Sequence, residues 1–236
     1  MIPTRTTICG TAAITYDLAF SKRKTLGIIV TSDSQVNVRA PIGTSLEEID
    51  RIVQKRAAWI TRKQREFESY PPKLPPRQYL SGENHYYLGK QYPLNVIVGT
   101  PSSVELTRGR LLITIRDDDP ARVKHQLTEW YREQARRIFA ERLEACYPKI
   151  QPYGVPYPDI KIRLMRKRWG SCTATGRINL NLRLIQAPIP YIDYVIVHEL
   201  CHLKEHNHSR AYYTLLDCLL PNWRELREGL NQAEIA

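Results

Sequence analysis

The pattern His-Glu-x-x-His at positions 198–202 constrains this chain more than any other part of its sequence. On a helix, His198 and His202 lie one turn apart on the same face, so both imidazoles can bind one metal ion. Glu199 follows the first histidine, where a carboxylate can act as a general base toward a water on the metal. Apolar residues before and within the pattern predict that the rest of the helix is buried. The pattern therefore predicts a catalytic centre with one Zn²⁺ per chain.

A third metal ligand requires the chain to turn back, because one helix turn supplies only two. On a straight helix His206 would lie roughly 12 Å from His198, too far for two Zn–N bonds of about 2.0–2.1 Å. We therefore expect the helix to end after position 203 or 204, with Asn207 in the left-handed conformation at the reversal. His208 is the predicted third ligand, and Ser209 the predicted cap of the next helix. His206 is then an exposed neighbour of the site.

The spacing of His198, His202 and His208 equals that of the metzincins, but two features disfavour that class. Glu205 stands where metzincins have the glycine of the turn. Both methionines of the chain precede the site, so neither can form the Met-turn.

Composition favours a globular protein of the cytoplasm. No apolar run approaches the roughly 20 residues needed to cross a bilayer, and the N-terminus lacks the pattern of a signal peptide. The five cysteines are scattered without paired spacing, which is typical of a reducing compartment. Cys172 is interpreted as a small buried residue at a turn. The net charge of +11 suggests an anionic partner, nucleic acid or nucleotide, although basic helix surfaces explain it as simply.

The order of predicted elements indicates an α+β fold. Residues 1–118 are predicted to form a β-rich N-terminal part with one helix, beginning after Thr44 or Ser45. Residues 119–236 are predicted to form a zincin-like part, beginning with a long helix near Pro120. Alternating stretches at 159–165 and 178–184 predict two strands directly before the His-Glu-x-x-His helix. In such a layout an edge strand can bind an extended peptide above the metal.

A longer set of motifs resembles one protein family. The motifs are Arg168-Trp169-Gly170-Ser171-Cys172, Ile178-Asn179-Leu180-Asn181, and Val197 to Leu203 followed by Asn207-His208-Ser209. In these segments the chain resembles the YgjP-like metallopeptidases, which are related to the SprT-like zincins. The resemblance implies a zincin fold with a β-rich N-terminal part. It also implies zinc ligands at His198, His202 and His208 and a catalytic carboxylate at Glu199.

Three functions stay open at this point. The leading one is a zinc metallopeptidase that cleaves peptide or protein substrates with a zinc-bound water activated by Glu199. The second is a metal-dependent phosphoanhydride hydrolase acting on nucleoside triphosphates, with Lys161, Arg163, Arg166, Lys167 and Arg168 as candidate phosphate clamps. The third is a basic nucleic-acid-associated module with structural zinc. Arg168, Tyr212 and Tyr213 are the candidates for contacts to the substrate or transition state.

Overall fold

The computed structural model of the chain describes residues 3–9, 12–31, 33–68, 77–166, 168–173 and 175–233. It divides into two compact units, Met1–Pro72 and Lys73–Ala236. The fold is α+β, with a β-rich N-terminal region, as predicted. In the parts of the chain that the structure describes, no helix is both long enough and apolar enough to span a bilayer.

The first unit is a four-stranded sheet followed by two helices. Its elements are β1 (Thr4–Cys9), β2 (Ala12–Ser21), β3 (Gly27–Val30), β4 (Val36–Pro41), α1 (Leu46–Lys55) and α2 (Ala57–Glu68). The strand order is β1-β2-β4-β3, in which β2 and β4 are parallel and the other pairs antiparallel. The Ser45 side chain accepts a hydrogen bond from the Glu48 backbone N–H, which confirms one of the two predicted caps of α1.

Alternate residues of β2 and β4 form the core of the first unit, because side chains two positions apart lie on one face of a sheet. These residues pack with apolar residues of the two helices; the buried set is Ile14, Tyr16, Leu18, Val36, Val38, Ala40, Ile49, Val53 and Ile60.

In its described residues, the second unit contains two sheets and four α-helices. The first sheet consists of β5 (Asn84–Tyr87), β6 (Lys90–Val98), β7 (Ser103–Thr107) and β8 (Arg110–Ile115), in the order β5-β6-β8-β7. The second sheet consists of β9 (Ile160–Arg163), β10 (Gly170–Cys172) and β11 (Ile178–Asn181), in the order β10-β11-β9. The helices are α3 (Pro120–Cys146), α4 (Ile189–Lys204), α5 (Arg210–Leu219) and α6 (Trp223–Gln232).

The predicted division at 118/119 falls inside the second unit and not at its start. Apolar residues of β6 and β8, including Leu94 and Ile113, belong to the same buried core as α3 and α4. The turn after β5 is also tied to the segment before α4, since the N–H of Leu88 donates to the carbonyl of Ile185 at 3.0 Å. A domain boundary lies where few contacts cross. The boundary between the two units therefore lies before β5, between Pro72 and Lys73.

His85 on β5 is a buried histidine that the fold keeps neutral. It is 4% exposed, and its Nε2 lies 3.5 Å from Glu83 Oε2 without forming a hydrogen bond. Burial, together with the charge of Arg77, lowers its pKa to about 4, and Glu83 only partly opposes this. In the unfolded chain the ring takes up a proton near pH 6.5, whereas in the folded chain it does so only near pH 4.

We therefore expect the free energy of unfolding to fall as the pH drops from 7 toward 4, by on the order of 1–3 kcal/mol from this residue. Urea unfolding at pH 7.5 and pH 5 tests this. His85→Phe should show a smaller loss between the two conditions than the unsubstituted protein, while His125→Gln on the exposed face of α3 should show the same loss. An unchanged pH dependence in His85→Phe would contradict the expectation.

Candidate metal centre

Helix α4 carries the His-Glu-x-x-His pattern and is buried on most of its surface. Its apolar side chains pack in the core of the second unit, among them Ile192, Ile196 and Leu200. Asp193 anchors the helix to α3, because both of its carboxylate oxygens accept hydrogen bonds from Arg142 at 2.8 Å. This bidentate ion pair and the apolar packing fix the helix in a defined orientation.

The chain turns back directly after Lys204, as predicted. Glu205 is extended, with its N–H donating to the carbonyl of Cys201, and Ser209 caps α5 by accepting from the N–H of Tyr212. The predicted left-handed conformation of Asn207 is wrong, since this residue does not have a positive φ. The extended Glu205 makes the reversal, and a bond from the Ser209 N–H to the Asn207 carbonyl tightens it.

The reversal brings His208 to the two histidines of α4. Its Nε2 lies 3.2 Å from His202 Nε2 and 3.3 Å from His198 Nε2, and one ligand atom from each residue lies within 4.8 Å of the others. Two nitrogens on a tetrahedral Zn²⁺, each bonded at about 2.0–2.1 Å, would stand roughly 3.3–3.4 Å apart. The three Nε2 atoms therefore fit a zinc ion held by three histidines.

The other ring nitrogens and the burial of the site favour this arrangement. His202 Nδ1 lies 3.1 Å from the carbonyl of Glu205, which makes it the N–H donor and leaves Nε2 unprotonated for a metal. Burial, and then the charges of the neighbouring imidazoles, lowers the pKa of His198 to about 3, and burial lowers the pKa of His202. Neutral imidazoles are the form that binds metal ions.

Glu199 is a buried carboxylate beside the three histidines. It is 4% exposed, and its Oε2 has no hydrogen-bond partner among the described residues. Burial raises its pKa to about 8, while the charge of Arg168 and the backbone N–H of Cys172 lower it by smaller amounts. Such an unpartnered oxygen is costly unless function requires it. Its position suits a proton acceptor more than a structural group.

Gly170 leaves the space that Glu199 occupies. A Cβ on this residue would stand 2.5 Å from Glu199 Oε1 and 2.9 Å from Cδ, closer than carbon and oxygen atoms approach. The sequence motif around Gly170 indicates the family resemblance, but it does not predict that this residue packs against Glu199. A contact between β10 and α4 is a tertiary feature that local periodicity does not predict.

The site opens into a cleft of about 600 Å³. Its lining is formed by Arg168, Gly170, Ser171, Cys172, Thr173, His198, Glu199, His202, His206 and His208. Of the three predicted substrate contacts, Arg168 is therefore the one that lines the cleft. His206 is exposed as predicted, and its Nδ1 lies 3.1 Å from the carbonyl of His202.

Tyr212, Tyr213 and Cys172 differ from their predicted surroundings. Tyr212 is fully buried behind the histidines, and Tyr213 stacks between His208 and Trp223, so neither tyrosine lines the cleft. Cys172 lies in strand β10, half-buried in the wall of the cleft, and not at a buried turn. Burial raises the pKa of its thiol.

Comparison with known proteins gives three findings. A family model described as "YgjP-like, metallopeptidase domain" matches residues 24–233. A curated relative named UTP pyrophosphatase, from Escherichia coli (strain K12), is 32% identical over 79 residues, which are 29% of this chain and 47% of that protein. The match thus spans about half the length of that relative.

A solved structure, the metallopeptidase zymogen of Pyrococcus abyssi abylysin, is 18% identical and aligns with a TM-score of 0.36. The alignment covers 39% of this chain and 90% of that one. A TM-score this low carries no conclusion about fold or function.

Proposed function

This chain belongs to the YgjP-like metallopeptidase family and is a metal-dependent hydrolase, and from this premise we propose that it cleaves peptide bonds with zinc at His198, His202 and His208. When bound, zinc acts as a Lewis acid that polarises the scissile carbonyl and acidifies water. Three histidine ligands leave an open coordination position, which is typical of catalytic and not of structural zinc.

The chain itself supplies the proton transfers. The Glu199 carboxylate accepts a proton from the attacking water as the new C–O bond forms, and delivers it to the amine nitrogen as the C–N bond breaks. Its burial beside Gly170 excludes bulk water from this carboxylate. The Arg168 side chain, exposed in the cleft wall, can stabilise negative charge on the carbonyl oxygen.

The observation that carries the proposal is the free edge of β10 along the same cleft. In the described residues, β10 pairs only with β11. The N–H of Thr173 and the carbonyl of Trp169 bond toward β11. Because bonding directions alternate along an antiparallel strand, the backbone groups of Gly170 and Cys172 point away from β11, and of these the Cys172 N–H faces the Glu199 carboxylate. An extended peptide can pair with the backbone of Gly170 and the carbonyl of Cys172 beside Glu199.

A second candidate function is phosphoanhydride hydrolysis, and the name of the Escherichia coli relative favours it. Arg168 would then contact a phosphate group in the cleft. The rest of the predicted clamp gives less support. Lys161 and Arg163 lie on β9, at the opposite edge of the sheet from β10, Arg166 does not line the cleft, and Lys167 lies outside the described residues. One arginine offers little charge compensation for a triphosphate, so peptide hydrolysis ranks first.

The two candidates are separated by offering both substrates to the same zinc-loaded protein. One arm measures new amino groups from an unfolded protein substrate, and the other measures pyrophosphate released from UTP in the presence of Mg²⁺. Release of amino groups supports the proposal. Pyrophosphate release without peptide cleavage would overturn it and establish the second candidate. Arg168→Met should then raise the KM for UTP, whereas Arg177→Met, an exposed arginine outside the cleft lining, should not.

A further inference from the structure

Tyr212 on α5 contacts all three histidines of the metal centre from the side opposite the cleft. Its ring centroid lies 4.5 Å from that of His202, with the two rings stacked at 26°. The centroids of His208 and His198 lie 4.8 Å and 5.4 Å from it, with the rings nearly perpendicular. No other aromatic contact of the site joins all three ligands to one side chain among the described residues. Tyr212 therefore packs against all three imidazoles of the candidate metal centre.

The Tyr212 hydroxyl also fixes which nitrogen of His198 faces the metal. The hydroxyl oxygen lies 2.7 Å from His198 Nδ1 and 3.2 Å from the His198 backbone carbonyl. A carbonyl only accepts, so the hydroxyl proton is donated to it. The same oxygen then accepts from Nδ1–H, which leaves His198 Nε2 with its lone pair toward the other two Nε2 atoms.

The position of Tyr212 excludes direct contact with a substrate. The side chain is 0% exposed and is not part of the cleft lining. Its contribution to the reaction must therefore act through the histidines.

We propose that Tyr212 is the positioning residue of the metal centre, whose hydroxyl holds the His198 ring with Nε2 directed at the metal. The inference rests on the proposed binding of zinc by the three histidines. Partners that orient a ligating histidine typically contribute about 10–100-fold in metal affinity. Tyr212→Phe removes the hydroxyl and keeps the ring that packs against the imidazoles.

The test compares zinc binding by Tyr212→Phe and Tyr131→Phe with that of the unsubstituted protein, using competition with a chromophoric chelator. Tyr131 is the matched control, because it is a buried tyrosine of the same unit that donates to a backbone carbonyl, that of Tyr86 at 2.6 Å. We expect Tyr212→Phe to raise the Kd for zinc by about 10–100-fold, and Tyr131→Phe to leave it unchanged. The visible absorption of the Co²⁺-loaded protein should change in Tyr212→Phe alone, because it reports the geometry of the ligands.

Two results would overturn the inference: equal zinc affinity in Tyr212→Phe and the unsubstituted protein, or an equal loss in both variants. Thermal unfolding of the metal-free proteins shows whether each variant is folded. Failure of the proposed function would look different, because the unsubstituted protein itself would then bind no zinc, or would bind it without cleaving the protein substrate.

Discussion

Glu199→Gln is expected to lower kcat by about 10²–10⁴-fold, while the protein still binds one zinc ion. Glutamine has nearly the same shape but cannot accept the proton of the attacking water. The three histidines proposed to hold the metal are left in place. We expect the metal-free variant to be at least as stable as the unsubstituted protein, because a buried carboxylate with an unpartnered oxygen is replaced by a neutral amide.

The measurement is turnover of whichever substrate the zinc-loaded protein hydrolyses, together with the zinc content of each preparation. Glu141→Gln is the control. It makes the same chemical change at an exposed position on α3, away from the cleft. A Glu199→Gln variant with normal turnover would contradict the assignment of the general base. Loss of zinc from the variant would instead make Glu199 part of the metal site.

Gly170→Ala is expected to reduce activity by on the order of 10²-fold, because a displacement of about 1 Å at a catalytic group can cost this much. The new Cβ would stand 2.5 Å from Glu199 Oε1 and 2.8 Å from Cγ. Either the carboxylate or strand β10 must move, and both movements separate the general base from the edge strand. Zinc binding should change much less than turnover, since Gly170 is not one of the candidate metal ligands.

Gly27→Ala in the first unit is the matched control. Its Cβ would stand 2.8 Å from Arg23 Nη2, which is also too short, but this atom is the end of a flexible side chain that can swing away. Equal activity of Gly170→Ala and Gly27→Ala would show that Glu199 can relax without cost. The close packing of Glu199 against β10 would then have no role in catalysis.

The cluster of three histidines could be predicted from the sequence because its determinants are local. The spacing of His198 and His202 depends only on helix geometry, and the end of α4 follows from the length of Zn–N bonds. The caps at Ser45 and Ser209 are also local, since each side chain accepts from an N–H three residues later. The histidine pattern and the helix that carries it lie in one short segment, so the sequence predicts both.

Features that depend on packing between distant segments were not predictable in this way. Tyr212 was expected to face the substrate, but the direction of its side chain is set by how α5 packs on α4. The boundary between the two units was also misplaced, because the sequence shows strands but not the core to which they contribute.

The expected anionic partner stays a prediction. Exposed cations stand at helical spacing on each helix of the first unit, Arg51 and Lys55 on α1 and Arg62 and Arg65 on α2. This arrangement is compatible with a bound polyanion and equally with a solvated surface.

The brevity of β10 has a consequence for solubility. An exposed strand edge invites pairing with the strands of other molecules, and long flat edges are sites of aggregation. β10 offers only the three residues Gly170–Cys172, between the exposed Arg168 and the turn that leads into β11. So short an edge can align a flexible chain beside Glu199, yet it gives too few hydrogen bonds to hold another copy of the folded protein. With so few backbone hydrogen bonds on offer, the proposed peptide hydrolysis would take its selectivity from side-chain contacts along the rest of the cleft.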